Sequence, residues 1–238
     1  MYILNSSGLV VQVSEAVPTV SPSGTPSWPQ GAVGNVQVSP SLGKTIARNS
    51  GVGRFSLGSS VTGIRGSILV TFVAGAAGMA RTLAYLTDSP TSPTHRIVLG
   101  LDAMNRPDIS IYDGVGTLKA QVIPTYVGIL AGSQNQVLLS WDATQAIDST
   151  RYAVLQVNSS AVPSVDWITN PVAAWSPFQP TDVVLGFGVG TDIDFNGQIV
   201  SVQISNDTVV GGPGSGGQFP TTHVFDRFLN DTPGVTST

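Results

Sequence analysis

The chain has 238 residues, of which 41% are hydrophobic and only 10% charged, with no cysteine and a net charge of −4. Charge lies far below the roughly 25% usual in soluble globular chains, so solubility rests on Ser, Thr, Asn and Gln. The acidic balance and a total of two lysines, Lys44 and Lys119, exclude a phosphate-neutralising nucleic-acid binder, and the lack of cysteine excludes disulfides, thiol nucleophiles and thiolate metal sites.

The opening stretch "MYILNSSGLVVQVSEAVPTV" has no basic n-region and no long apolar core, so no signal peptide is expected. No apolar run approaches the roughly 18 residues that span a bilayer. The expectation is a soluble chain made in a cytoplasm.

Residues 1–60 read as an arm or small β lobe. "MYILNSSGLVVQVS" supplies one strand, "PTVSPSGTPSWPQG" is too rich in Pro, Ser and Gly for regular structure, and "GNVQVSPSLGKTIARNSGVGRFSLGSS" offers short β fragments broken by glycines. Such an extension packs over a sheet edge or reaches onto a neighbouring subunit.

From residue 61 the pattern becomes regular. "GSILVTFVAG" (66–75), "RTLAYLTD" (81–88) and "HRIVLGLDA" (95–103) are predicted strands, and "PDISIYDGVGTLKAQVI" (107–123) is a hairpin around Asp113-Gly114. "NQVLLSWDA" (135–143) and "RYAVLQVNSS" (151–160) follow, with Trp141 predicted in the core. "DVVLGFGVG" and "GQIVSVQIS" close the series. Only "SVDWITN" suggests a helical turn. Short strands without alternating helices predict an all-β, antiparallel β-sandwich, spanning residues 61–207. Residues 208–238 form a Gly-rich linker and a tail that docks through Phe225, Phe228 and Leu229 or hangs free.

Four of these pieces, in this order, resemble the concanavalin A-like, laminin-G-type jelly roll. "GSILVTFVAG" resembles its first long inner strand, and "NQVLLSWDA" the strand whose Trp and Asp precede a turn. "YAVLQVNSSAV" is similar to the next hairpin, and "FNGQIVSVQIS" to the closing strand. The aromatic usual near the end of that strand is missing from "QISNDT". The resemblance implies two curved antiparallel sheets and a family that mostly binds glycans or proteins.

Asp192-x-Asp194-x-Asn196-Gly197 matches the first half of an EF-hand loop, but the twelfth position, where a bidentate Glu belongs, is Gln203 inside a predicted strand. The EF-hand reading fails. The resemblance implies a rim calcium site, which leaves Asp192 and Asp194 as candidate Ca²⁺ ligands beside the plainer reading of solvated loop acids. No other cofactor is implied.

Glycosidase chemistry needs two carboxylates flanking the bond, and the laminarinase-like enzymes of this fold resemble one another through Glu-x-Asp-x-x-Glu. The only glutamate here is Glu15, in the arm. Asp102, Asp108 and Asp142 form no alternating pair on one face. His95 and His223 lie far apart with no acid at ligand spacing, so neither a zinc site nor a catalytic triad is expected.

Aromatic rings remain as possible contact groups, because sugars stack C–H faces on flat rings. Trp167, Trp175 and Phe178 fall in the irregular stretch "SVDWITNPVAAWSPFQP", and Trp28 lies in the Pro-rich arm. Folded back, they cover the core; turned outward, they contact a glycan or a subunit. The features together lead to the expectation of a non-enzymatic structural protein of a bacteriophage virion, such as a capsid decoration, head-fibre or tail component. It would attach through its extensions to partners such as the major capsid protein and form a homo-oligomer, a trimer being favoured. The alternative is a lectin-like module for host or surface glycan, with neither nucleic acid nor membrane as partner.

Overall fold

A computed structural model describes residues 54–89, 94–125, 129–148, 150–186, 195–209 and 218–228, with short strands at 2–4, 10–12, 19–20 and 26–27. Those four strands form two small antiparallel ladders: β1 (Tyr2–Leu4) pairs with β2 (Val10–Gln12), and β3 (Thr19–Val20) with β4 (Pro26–Ser27).

The remaining strands are β5 (Arg54–Ser56), β6 (Arg65–Val73), β7 (Arg81–Thr87), β8 (Arg96–Leu101) and β9 (Pro107–Tyr112). Then come β10 (Leu118–Val122), β11 (Gln134–Asp142), β12 (Ala153–Val157) and β13 (Ser160–Ala161). A 3-10 turn at Ser164–Asp166 leads into β14 (Trp167–Thr169), followed by β15 (Asp182–Leu185), β16 (Gln198–Ser205) and β17 (Phe225–Phe228). One sheet has seven strands in the order β14-β10-β9-β8-β7-β15-β5, and the other six in the order β13-β12-β11-β6-β16-β17. Neighbours run antiparallel throughout. The expected all-β sandwich is thus the observed one.

Alternation builds the core between the sheets. Ile68, Val70 and Phe72 of β6 and Val137, Leu139 and Trp141 of β11 meet Ile97, Leu99 and Leu101 of β8 and Ile109 and Ile111 of β9. Trp141 is fully buried, and its indole N–H donates to the Gly63 carbonyl at 3.2 Å. In β16 a bulge between Ile199 and Ser201 shifts the register. It keeps Ile199, Val202 and Ile204 all in the core although a strict period of two would turn the last pair outward.

The loop aromatics fold inward. Trp167, Trp175 and Phe178 all belong to the main core. The Trp175 N–H bonds the Ala143 carbonyl at 2.9 Å, and a Cβ at Gly63 would collide with the Phe178 carbonyl. The stretch is therefore a cover on the sandwich end.

Two strands of the two main sheets lie outside 61–207. β5 pairs with β15, and β17 with β16; the Phe55 and Phe225 rings meet at 5.7 Å. The chain after β16 also crosses the outer face of the six-stranded sheet. There Val209 packs with Leu138, Val154, Leu69, Ile147 and Phe219 in a second small core. The Val209 N–H bonds the Ser140 hydroxyl at 3.1 Å, and the Ser67 hydroxyl donates to the Asp207 carbonyl at 2.7 Å. Leu229 lies outside the described residues.

Candidate functional site

Residues that face away from the core on the seven-stranded sheet can be aligned strand by strand from the pairing. One row reads Thr169, Gln121, Ser110, Val98, Tyr85, Val184, Arg54, with one residue from each strand. At about 4.8 Å per strand it runs roughly 29 Å. Its β14–β8 half is half-exposed, whereas Tyr85 and Val184 are buried despite facing outward.

Beside this row, in register, lie Leu118, Tyr112, Arg96 and Thr87. The Arg96 guanidinium sits 4.1 Å above the centroid of the Tyr112 ring, an attraction between cation and ring quadrupole. The result is a flat amphipathic platform bordered by a hydroxyl, a carboxamide and a valine. The strand alternation placed these side chains outward, but only the seven-strand register brings them together, so sequence reasoning passed over them.

The aspartates serve turns. Asp102 accepts the N–H groups of Met104 and Arg106 and the Arg106 guanidinium. Asp113 accepts from Val115 and Thr117 and pairs with Lys119 at 3.1 Å. Asp142 caps Thr144 and Gln145, and Asp148 holds Thr150 and Arg151. Burial pushes each of these four carboxyls up, but the hydrogen bonds outweigh it and hold all four below the ordinary carboxylate range. A folded value below the unfolded one, about 3.9, gives stability that is complete above that pH and lost as pH falls through the lower folded values. The urea midpoint is therefore expected to hold between pH 7 and 5 and to drop below about pH 4. A midpoint that stays level into stronger acid would mean these turns do not prefer the ionised side chains.

Each histidine has an aspartate nearby, which corrects the expectation of isolated histidines. His95 Nδ1 lies 2.6 Å from Asp88 across the β7–β8 connection, and His223 Nδ1 lies 3.4 Å from Asp226. Among the described residues no three His, Asp or Glu side chains converge as a metal-holding group. Of the predicted site residues, Trp167, Trp175 and Phe178 are each under 10% exposed, so their ring faces are occupied by the core. Trp28, Asp192 and Asp194 lie outside the described residues. Gly197 does mark a close approach: a Cβ there would strike the Val73 carbonyl and the Phe195 ring. The stretch that follows it, Gln198–Ser205, is strand β16.

The chain matches no protein-family model and no curated protein. Solved structures share its fold. The Ruminococcus gnavus IT-sialidase CBM40 bound to α2,3-sialyllactose is similar at a TM-score of 0.50 and 13% identity, over 71% of this chain and 91% of that one. A native heptameric SAP-like pentraxin from Limulus polyphemus gives 0.46 and 10%, over 66% and 70%. The LG4-5 domains of the mouse laminin α1 chain give 0.44 and 13%, over 70% and 44%. The two-sheet topology and the likeness to that CBM40 make the fold a concanavalin-like jelly roll.

Proposed function

We propose that this chain is a non-enzymatic contact module that binds glycan on the outer face of its seven-stranded sheet. The observation that carries the reading is the half-exposed row Thr169, Gln121, Ser110 and Val98 beside the Arg96–Tyr112 stack. Hydroxyl and amide groups match sugar hydroxyls, and a flat ring with a guanidinium suits the C–H face of a pyranose. A fold of this kind carries sialyllactose in the Ruminococcus gnavus module. Contact is favoured over bond cleavage because hydrolysis asks for paired carboxylates, one with a raised pKa, and the four turn-bound aspartates are held the other way.

A second observation supports fastening to a larger assembly, with a bacteriophage virion as the setting: a capsid decoration, head-fibre or tail component. The edge strands nearest the two terminal extensions, β5 and β17, meet at one side of the sandwich through Phe55 and Phe225. Both extensions can then reach one partner, such as a major capsid protein, while the half-exposed β14–β8 part of the row, at the other end of the sheet, stays clear.

The two readings fail separately. On a glycan array the isolated protein is expected to bind, and Tyr112→Ala or Arg96→Ala to weaken binding at least about tenfold, a change of about 1.4 kcal/mol. No bound glycan, or full binding by both variants, removes the first reading. Deleting residues 1–50 is expected to leave a folded sandwich that no longer attaches to particles; normal attachment removes the arm as anchor.

A further inference from the structure

We infer that the N-terminal extension turns back at β5 and docks, through residues 28–53, on the outer face of β7 and β15. Tyr85 and Val184 carry the inference. Their strand neighbours Ala84, Leu86, Val183 and Leu185 all belong to the main core, whereas Tyr85 and Val184 point the other way and belong to neither apolar cluster. Yet Tyr85 is only 4% exposed and Val184 3%. Thr82, opposite Gly100 on the same face, is 2% exposed. Further along the row Val98, Ser110, Gln121 and Thr169 are half-exposed, so burial sets in sharply between β8 and β7. A side chain in the middle of a sheet's outer face loses water only to something laid across that face. The structure is of one chain, so the cover belongs to the chain itself.

Position and composition single out the extension. Arg54, the first residue of β5, pairs with Val184, which pairs in turn with Tyr85. The chain ahead of Arg54 therefore leaves the sheet at the end of this row. Tyr85 is two strand spacings away, about 10 Å, a distance that about three extended residues bridge. The stretch "WPQGAVGNVQVSPSLGKTIARNSGVG", residues 28–53, offers Val36, Val38, Leu42 and Ile46 and contains no acid. Other connections start elsewhere. The stretch holding Trp167, Trp175 and Phe178 covers the end of the sandwich, and the chain after β16 crosses the opposite, six-stranded sheet. Residues 187–194 are tied at their root, where the Phe195 N–H donates to the Gly186 carbonyl at 2.9 Å. They include Asp192 and Asp194, whose charges are costly to lay on an apolar bed. With residues 28–53 docked in this way, the part of the extension left to meet a partner lies ahead of Trp28. The inference stands whether or not the open part of the row binds glycan.

The test uses the full chain with Tyr85 replaced by the photoreactive p-benzoylphenylalanine. On irradiation its cross-link is expected to fall within residues 28–53 of the same chain, read by peptide mass mapping. The same group in place of Ser110 is expected to give no such link. Because the bulkier ring can disturb the packing, disulfide trapping gives a second measurement, in a chain that has no cysteine of its own. Val184→Cys is combined in turn with Val36→Cys, Val38→Cys, Leu42→Cys and Ile46→Cys. At least one pair is expected to close within one chain under mild oxidation, which requires Cα atoms within about 7 Å. A link from position 85 to residues 187–194 or to a second copy would overturn the inference. So would the absence of both a closed pair and a photo-link to residues 28–53.

Discussion

Replacing Trp141 by alanine is expected to destabilise the sandwich by about 3–5 kcal/mol, the cost of emptying a large aromatic site in a packed core. The residue is fully buried in β11, and its strand neighbours in register are Gly66 of β6 and Ala153 of β12. Two small residues flank one large one, which is how the inner layer accommodates an indole. A Cβ at Gly66 would already come within 2.9 Å of the ring. Alanine would leave a void that neither β6 nor β12 can fill, since the backbone of each is pinned in the ladder. Trp141→Phe separates the contributions: it retains much of the volume but leaves the Gly63 carbonyl without its indole donor, so a smaller loss of about 1–2 kcal/mol is expected. Urea unfolding of both variants decides the point. A Trp141→Ala protein within about 1 kcal/mol of wild type would mean that the inner layer rearranges freely around this position.

Gly197→Ala should be nearly as damaging, by about 3 kcal/mol, the upper end of the usual overpacking range. The new methyl would meet the Val73 carbonyl, where β6 ends beside the first residue of β16. Backbone cannot swing aside as a long side chain can, so the start of β16 would have to separate from β6. Gly58→Ala is the control. Gly58 has φ +55° and open space around its missing Cβ, so alanine there meets only the left-handed penalty of about 1–2 kcal/mol. If the two variants lose equal stability, close backbone approach at Gly197 is not what selects glycine there.

The long strands were legible because their own residues carry the pattern. "SILVTFV", "QVLLSW" and "DISIY" alternate or run apolar over enough length that β6, β11 and β9 need no outside information. Arg54–Ser56 and Phe225–Phe228 have no such pattern; they are strands because β15 and β16 offer them open edges. The same holds for the candidate face. Arg96 and Tyr112 are sixteen positions apart, and only the pairing of β8 with β9 stacks one over the other. The bulge at Ile199–Ser201 leaves no mark in "GQIVSVQIS". In the sequence His95 reads as isolated, because Asp88 lies seven residues earlier and comes close only once β7 and β8 pair. The aromatic cover was readable in kind, since Pro-bounded loop aromatics tend to turn inward. What could not be read was which carbonyls and rings would meet them.

The meeting of Phe55 and Phe225 has a consequence for how the molecule is made. During synthesis β16 emerges well before β17, so the other five strands of the six-stranded sheet leave the ribosome with the flank of β16 bare. That flank stays bare until some twenty more residues have followed. Chains growing side by side on one message therefore pass through an interval in which they could pair with each other along β16, and the arrival of Phe225 against Phe55 ends it.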